Sequence, residues 1–427
     1  MNCGCAENQQ LGNRELSRRG FLGRMAAAGA AGALAGLAGE SLSTRLAFAA
    51  PAYAGDTLVV LSLRGGFDGL SVVVPAGDPA YYPARPSIGV PEAQLLGRDG
   101  IFGLHPALAP LLPFWQDRRL AAVHAVGQAD PTRSHFAALE EMERAAPGTT
   151  LRTGWIDRML GVRGTSSVWG GVALGSGLSP QAMGGPAPEL ALNTIDGFEL
   201  YGEGDGGNPM ARTLRKLYAD VPAVIGAPAR ATLDAVGTAA KLKAAGYRPA
   251  GGAAYPATDL GAAMKDVARL VKAKVGLQVA CVDYGDWDMH QGLGKPVKGQ
   301  WMYDHLDELA QALAAFATDL GPTGMAGVTV LTLSEFGRRV GENASSGVDH
   351  GHGNAMLMLG GGVAGGKVYG DWPGLAPANL DHGDLRGTTD YRAVIGEVLQ
   401  QRCGAGSLAG IFPGVTAGRT GIVRARG

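Results

Sequence analysis

An α/β fold, with a mostly parallel central sheet sandwiched between helical layers, is the class this sequence predicts, and three observations predict it. Short apolar runs without alternation, the mark of strands covered on both faces, occur at 57–63, 120–126, 278–282, 328–333 and 355–359. Between them, residues 106–115, 134–144, 209–219, 230–245, 259–275, 303–320 and 391–402 carry apolar side chains at helical spacings of three and four. The 69 glycines are aperiodic, which excludes a collagen-like chain, and they gather where strands end, as at Gly65-Gly66, Gly170-Gly171 and Gly360-Gly361-Gly362. In such a sheet ligands collect beyond the C-terminal strand ends.

The chain opens on a segment that does not belong to the fold. Ser17-Arg18-Arg19-Gly20-Phe21-Leu22 reads as a twin-arginine (Tat) export signal, with Arg14 and Arg24 completing a basic head and an Ala/Gly-rich stretch following to Gly39. That stretch is shorter than the roughly 20 apolar residues of a membrane-spanning helix, so no permanent span is expected. Small residues at alternate positions suit signal peptidase, with cleavage expected after Ala54, release to the periplasm or beyond, and the Tat machinery as export partner. Residues 55–427 then form one catalytic-sized domain with a net charge of −3 and no basic block, which argues against nucleic acid as a partner. Cys281 and Cys403 remain, and their spacing neither requires nor excludes a disulfide. Residues 148–256 are rich in Gly and Pro with weak strand signals, and read as a cap or insertion.

Four strand ends carry residues capable of chemistry. The first strand delivers Asp68 within Arg64-Gly65-Gly66-Phe67-Asp68-Gly69, where a carboxylate suits a divalent metal or, equally, a turn. The second leads into Arg133-Ser134-His135: Ser134 at a helix start is either an N-cap or a nucleophile favoured by the helix dipole, and Arg133 is a cation fit to grip phosphate or sulfate. The third opens into Asp286-Trp287-Asp288-Met289-His290, and extended backbone turns Asp288 and His290 the same way, toward one ion. After the fourth come Ser334-Glu335-Phe336-Gly337-Arg338 and then Asp349-His350-Gly351-His352-Gly353, where both histidines can ligate or one can carry a proton.

In this order the segments, together with Leu104-His105-Pro106-Ala107-Leu108, resemble a large uncharacterised family of Tat-exported bacterial proteins (domain of unknown function 1501) and, more loosely, the alkaline phosphatase and sulfatase superfamily. The resemblance implies an alkaline-phosphatase-like three-layer αβα sandwich. It implies an exported hydrolase of small-molecule phosphate or sulfate esters that holds one or two divalent ions, zinc, manganese, magnesium or calcium. Ser134 takes the role of nucleophile, Asp68, Asp288, His290, Glu335, His350 and His352 those of metal ligands, and Arg133 and Arg338 those of substrate-binding cations. The chain departs from the superfamily at Glu335-Phe336, where phosphatases carry Asp-His; Phe336 cannot ligate, so a complete second metal site would need His135 or the second of His350 and His352. A catalytically silent exported binding or envelope-assembly protein on the same fold is the alternative.

Overall fold

The computed structural model describes residues 53–427 apart from 166, 201–208, 416–419 and 427, so the expected export signal lies outside the described residues save for its last two positions. The strands are β1 (Thr57–Leu63), β2 (Val73–Val74), β3 (Leu96–Asp99), β4 (Phe102–Leu104), β5 (Leu120–Gly127), β6 (Gly171–Leu174), β7 (Leu190–Leu192), β8 (Val279–Tyr284), β9 (Val328–Leu333), β10 (Asn354–Gly360), β11 (Val368–Tyr369) and β12 (Thr389–Asp390). Helices of eight residues or more are α1 (His135–Arg144), α2 (Trp155–Arg163), α3 (Pro209–Leu217), α4 (Ala223–Ala245), α5 (Asp259–Ala273), α6 (Trp301–Met325) and α7 (Tyr391–Gln401). None is long and apolar enough to cross a membrane.

The five apolar runs form the heart of one sheet, ordered β11-β5-β10-β9-β1-β8-β6-β7 with β12 also beside β5. All of these strands run parallel except β10, which is antiparallel to both β5 and β9. Every residue of β1 is buried, as a strand covered on both faces requires. Its side chains alternate between two cores: Val59, Leu61 and Leu63 pack with residues of α5 and α6, Leu58 and Val60 with residues of α2 and α7. Each such side chain contributes about 1.5–3 kcal/mol by leaving water.

The fold is therefore mixed α/β with a mostly parallel sheet and helices on both faces. The stretch 148–256 does not stand wholly apart as a cap, because β6 and β7 within it extend the sheet beyond β8. Strands of three or four residues are too short to leave a periodic signal. The run 106–115 is a 3-10 segment (Pro106–Leu111) followed by one α-turn, since Pro110 and Pro113 withhold the N–H groups of a regular α-helix. Cys281 and Cys403 are both buried and free.

Two features aim this sheet at a site. A bulge between Val123 and Val126 of β5 leaves buried Ala125 at φ 54°, increasing the local twist just before the strand ends. Because β10 runs backwards, the chain enters it at the edge where β1, β5, β8 and β9 finish. Segments 64–69, 128–135, 285–290, 334–338 and 350–353 thus meet at one edge.

A small sheet, β2-β4-β3, meets β5 through buried His124, and a second buried histidine, His105, caps the 3-10 segment that follows β4. His124 Nε2 lies 3.0 Å from the Val73 carbonyl while its Nδ1 accepts from Ala125 N–H, and His105 Nδ1 accepts from Ala107 N–H at 3.1 Å. Burial lowers the pKa of His105 to about 3 and of His124 to about 4, against an ordinary value of 6.5. Below pH 6.5 the unfolded chain gains these protons and the folded chain does not, so stability is complete above that pH and falls as pH drops toward 4. Urea-unfolding midpoints measured from pH 7.5 to 4 should decline, by up to about 1.4 kcal/mol per pH unit per histidine; the decline should be shallower in His124→Gln.

Candidate metal centre

Three imidazoles and a carboxylate meet at the strand ends. His350 Nε2 lies 3.0 Å from His135 Nε2, 2.9 Å from His290 Nε2 and 3.1 Å from Asp288 Oδ1. His290 Nε2 is 3.0 Å from the same Asp288 oxygen. Among the described residues, His135, Asp288 and His350 form a group able to hold a metal ion, with ligand atoms all within 4.8 Å of one another. Their side chains are partly open to solvent, from 22% for His350 to 48% for Asp288.

The other ring nitrogens settle what these rings can do. His135 Nδ1 faces Glu335 Oε1, His290 Nδ1 faces Asp349 Oδ1, and His350 Nδ1 faces the Arg133 carbonyl, each at 2.9 Å. All three partners are acceptors, which suits the tautomer that carries its proton on Nδ1 and turns a bare Nε2 inward. Lone pairs and a carboxylate oxygen at 2.9–3.1 Å repel one another unless a cation lies among them. The desolvation of His350 lowers its pKa, which favours this neutral form. Partial burial raises the pKa of Asp288, but the bond from Arg338 and the neighbouring imidazoles outweigh it and bring the carboxyl to about 2, so it stays ionised.

Each ligand is placed by backbone that its sequence explains. His135 is the first residue of α1, set there by the helix start at Ser134. Asp288 and His290 follow β8 two residues apart and converge through tight turns, in which the Met289 and His290 N–H groups reach back to the Trp287 and Asp288 carbonyls, and not through the extended backbone expected. Phe336 is buried with its ring 4.8 Å from those of both His135 and His350, forming an apolar support beneath them. Asn343 fixes the outer partner of His290, donating to Asp349 Oδ1 and to the His290 carbonyl.

The remaining candidates of the sequence reading occupy other positions. Glu335 is buried and orients instead of facing the inner cluster: Oε1 accepts from Gly65 N–H and faces His135. His352 Nε2 contacts the Gln128 carbonyl and is not brought to the inward-facing nitrogens. Ser134 lies exposed beside His135, its hydroxyl making no cap bond. Arg133 is paired with Asp384 at 2.6 Å. Arg338 is 1% exposed, and its guanidinium donates to the Gly65, Gly66, Trp287 and Val348 carbonyls and to Asp288, so it braces the site from within and offers nothing to a substrate.

Asp68 is fully buried and sealed by a residue the sequence reading did not single out. Arg85 grips both its oxygens at 2.6 and 2.9 Å, and spends its other donors on Ser71 Oγ and the Arg339 and Val340 carbonyls. Burial pulls the Asp68 pKa up, yet Arg85 more than offsets it and the net shift is downward. A guanidinium takes up the carboxylate that was expected to share a metal ion with Ser134. The position of Arg85, 17 residues on, carried no motif that could have revealed it. His135 was legible only as a reserve ligand that could stand in for the side chain Phe336 lacks, and it meets His350 and Asp288 instead.

Residues 225–395 match a family described as a protein of unknown function (DUF1501). The match takes in β8, β9 and β10 with Asp288, His290, Glu335, His350 and His352, and it stops short of His135 and Asp68. No curated protein matches the chain.

Asp68 and the metal cluster should respond differently to mutation. Asp68→Ala leaves Arg85 buried and unpaired and should cost about 3–5 kcal/mol in urea unfolding while leaving zinc uptake by the folded fraction intact. His350→Ala should instead abolish zinc uptake, measured by elemental analysis after dialysis, with a smaller change in the stability of the metal-free protein.

Proposed function

We propose that this chain is an exported, metal-dependent hydrolase of phosphate or sulfate esters, with one divalent ion held by His135, Asp288, His290 and His350. The observation that carries this reading is the set of three imidazoles whose Nδ1 atoms are all committed to acceptors, leaving three Nε2 lone pairs beside the Asp288 carboxylate. Three nitrogens and an oxygen suit zinc or manganese better than magnesium or calcium, which prefer all-oxygen sites. Such an ion, when bound, supplies a Lewis acid for an ester oxygen.

The chain's own residues supply the rest. The first N–H groups of α1 and its dipole favour a negatively charged oxygen near Ser134, whose free hydroxyl is positioned as the nucleophile toward phosphorus or sulfur. Glu335, Asp349 and the Arg133 carbonyl hold the three rings in the ligating tautomer. The seal on Asp68 favours a single ion over two. The twin-arginine signal supports export, and the open flank of the cluster supports a small-molecule substrate over a macromolecular one.

A second reading keeps the fold as an exported binding or envelope-assembly protein with one structural ion, and one observation favours it: Arg85, Arg133 and Arg338 are all engaged within the protein. Turnover decides between them. Zinc-loaded or manganese-loaded protein should hydrolyse members of a panel of phosphate monoesters, phosphate diesters and sulfate esters, and Ser134→Ala should lower kcat by at least about 100-fold with metal content unchanged. Undiminished turnover in Ser134→Ala would remove Ser134 as the nucleophile; a full metal complement with no turnover of any ester would favour the binding reading.

A further inference from the structure

Helix α3 is oriented the reverse of an ordinary surface helix. Met210, Leu214 and Leu217 stand four and three residues apart and form one apolar stripe, while Arg212, Arg215 and Lys216 project from the other side. A stripe of this kind usually faces the core. None of the residues of α3 is buried, however, and Met210 and Leu217 are each 47% exposed. A polar contact sets the orientation: Arg215 Nη1 lies 2.7 Å from Asp234 Oδ1 on α4. Because Arg215 projects away from the stripe, this pair turns the polar side of α3 toward α4 and leaves the apolar side outward.

The first turn of α4 adds Val224 and Ile225, 64% and 55% exposed. Arg230 of α4 donates to the Tyr218 carbonyl at 2.8 Å and so ties the connection between the two helices to α4. Residues 209–225 carry three cations against one acid, Asp220. Of those cations only Arg215 is in an ion pair among the described residues, which leaves Arg212 and Lys216 free to attract an anionic partner. A second copy of this chain is disfavoured as the occupant, because a two-fold contact through the patch would set Arg212 and Lys216 against their own counterparts.

We propose that α3 and the first turn of α4 dock the protein on an anionic lipid surface. Aliphatic side chains on one side of a helix and Arg and Lys on the other are the composition of a helix that lies in the plane of such a surface, its apolar side at the acyl boundary and its cations among the headgroups. Neither helix is long and apolar enough to cross a membrane, so the attachment is peripheral. Ala227, Arg230 and Asp234 of α4 line a pocket together with Ser167 and Trp169, which lead into the start of β6. The metal cluster gathers beyond the opposite ends of the parallel strands, so docking through this patch leaves the cluster open.

The test is hydrogen–deuterium exchange of the full-length protein, followed at residues 209–225 with and without unilamellar vesicles. A helix that buries none of its residues opens readily, so a lipid surface that covers it slows its exchange. Vesicles of phosphatidylglycerol and phosphatidylcholine should slow exchange in this segment by at least about tenfold, and vesicles of phosphatidylcholine alone should not. Following this segment keeps any lipid binding by the apolar stretch 25–39 out of the result. Leu217→Glu with Val224→Glu, and separately Arg212→Glu with Lys216→Glu, should abolish the protection without moving the thermal unfolding midpoint, since all four side chains are exposed. Exchange that vesicles do not slow, equal protection by both lipids, or protection that persists in either double variant overturns the proposal. Protection that appears without vesicles and rises with protein concentration also overturns it, in favour of a second copy on this face.

Discussion

The site depends on the buried guanidinium of Arg338. A charge that cannot be neutralised by losing its proton is tolerated inside a protein only when its donors are satisfied. Here the satisfaction comes from four carbonyls and one carboxylate drawn from the loop after β1, the loop after β8 and the segment before His350. Those loops must approach closely for one side chain to reach them all. Gly65 (φ 114°) and Gly66 (φ 76°) allow it: a Cβ on Gly65 would come 2.7 Å from Asp288 N, and one on Gly66 would come 2.5 Å from the Phe336 ring. The same guanidinium holds Asp288 ionised, so the residue that locks the loops also sets the charge of the cluster.

Two carboxylates at the same sheet edge thus have opposite fates. Asp68 meets Arg85 face to face, with both oxygens taken and no solvent access. Asp288 meets Arg338 through one oxygen only, remains about half exposed, and faces three imidazoles. A protein-supplied cation has completed the first site, and the second is left with lone pairs converging on a gap. Asp288 faces the cluster itself while Glu335 and Asp349 stand behind His135 and His290, an arrangement of carboxyl groups around imidazoles that suits a divalent ion.

How much of this was legible in the sequence follows from how local each cause is. The runs 57–63 and 328–333 coincide with β1 and β9 because burial on both faces demands uninterrupted apolar residues, a property of the strand itself. Asp288 and His290 were readable as a pair because the geometry that joins them spans two residues. His135 was readable only as a reserve ligand and its partners were not, since Glu335 and His350 lie 200 and 215 residues away and are brought close by the backwards entry of β10. Arg85 was hidden for the same reason: composition shows that a cation exists somewhere, whereas only the turn Tyr81–Ala84 shows that it points at Asp68. β6 and β7 escaped notice through brevity.

The distances in sequence also constrain when the centre can exist. Between His135 and Asp288 the chain completes β6, β7, β8 and helices α1 to α5, and the ligands converge only where β5, β10, β9, β1 and β8 lie side by side in the sheet. In an unfolded chain only Asp288 and His290 are close enough to share an ion, and two ligands hold one weakly. Metal affinity at such a centre is therefore a property of the assembled sheet edge, and the free energy of binding adds to that of folding. An export route that carries folded proteins, as the twin-arginine motif at Arg18-Arg19 leads one to expect, would suit a centre of this kind, because the sheet edge that makes it would already be complete on departure.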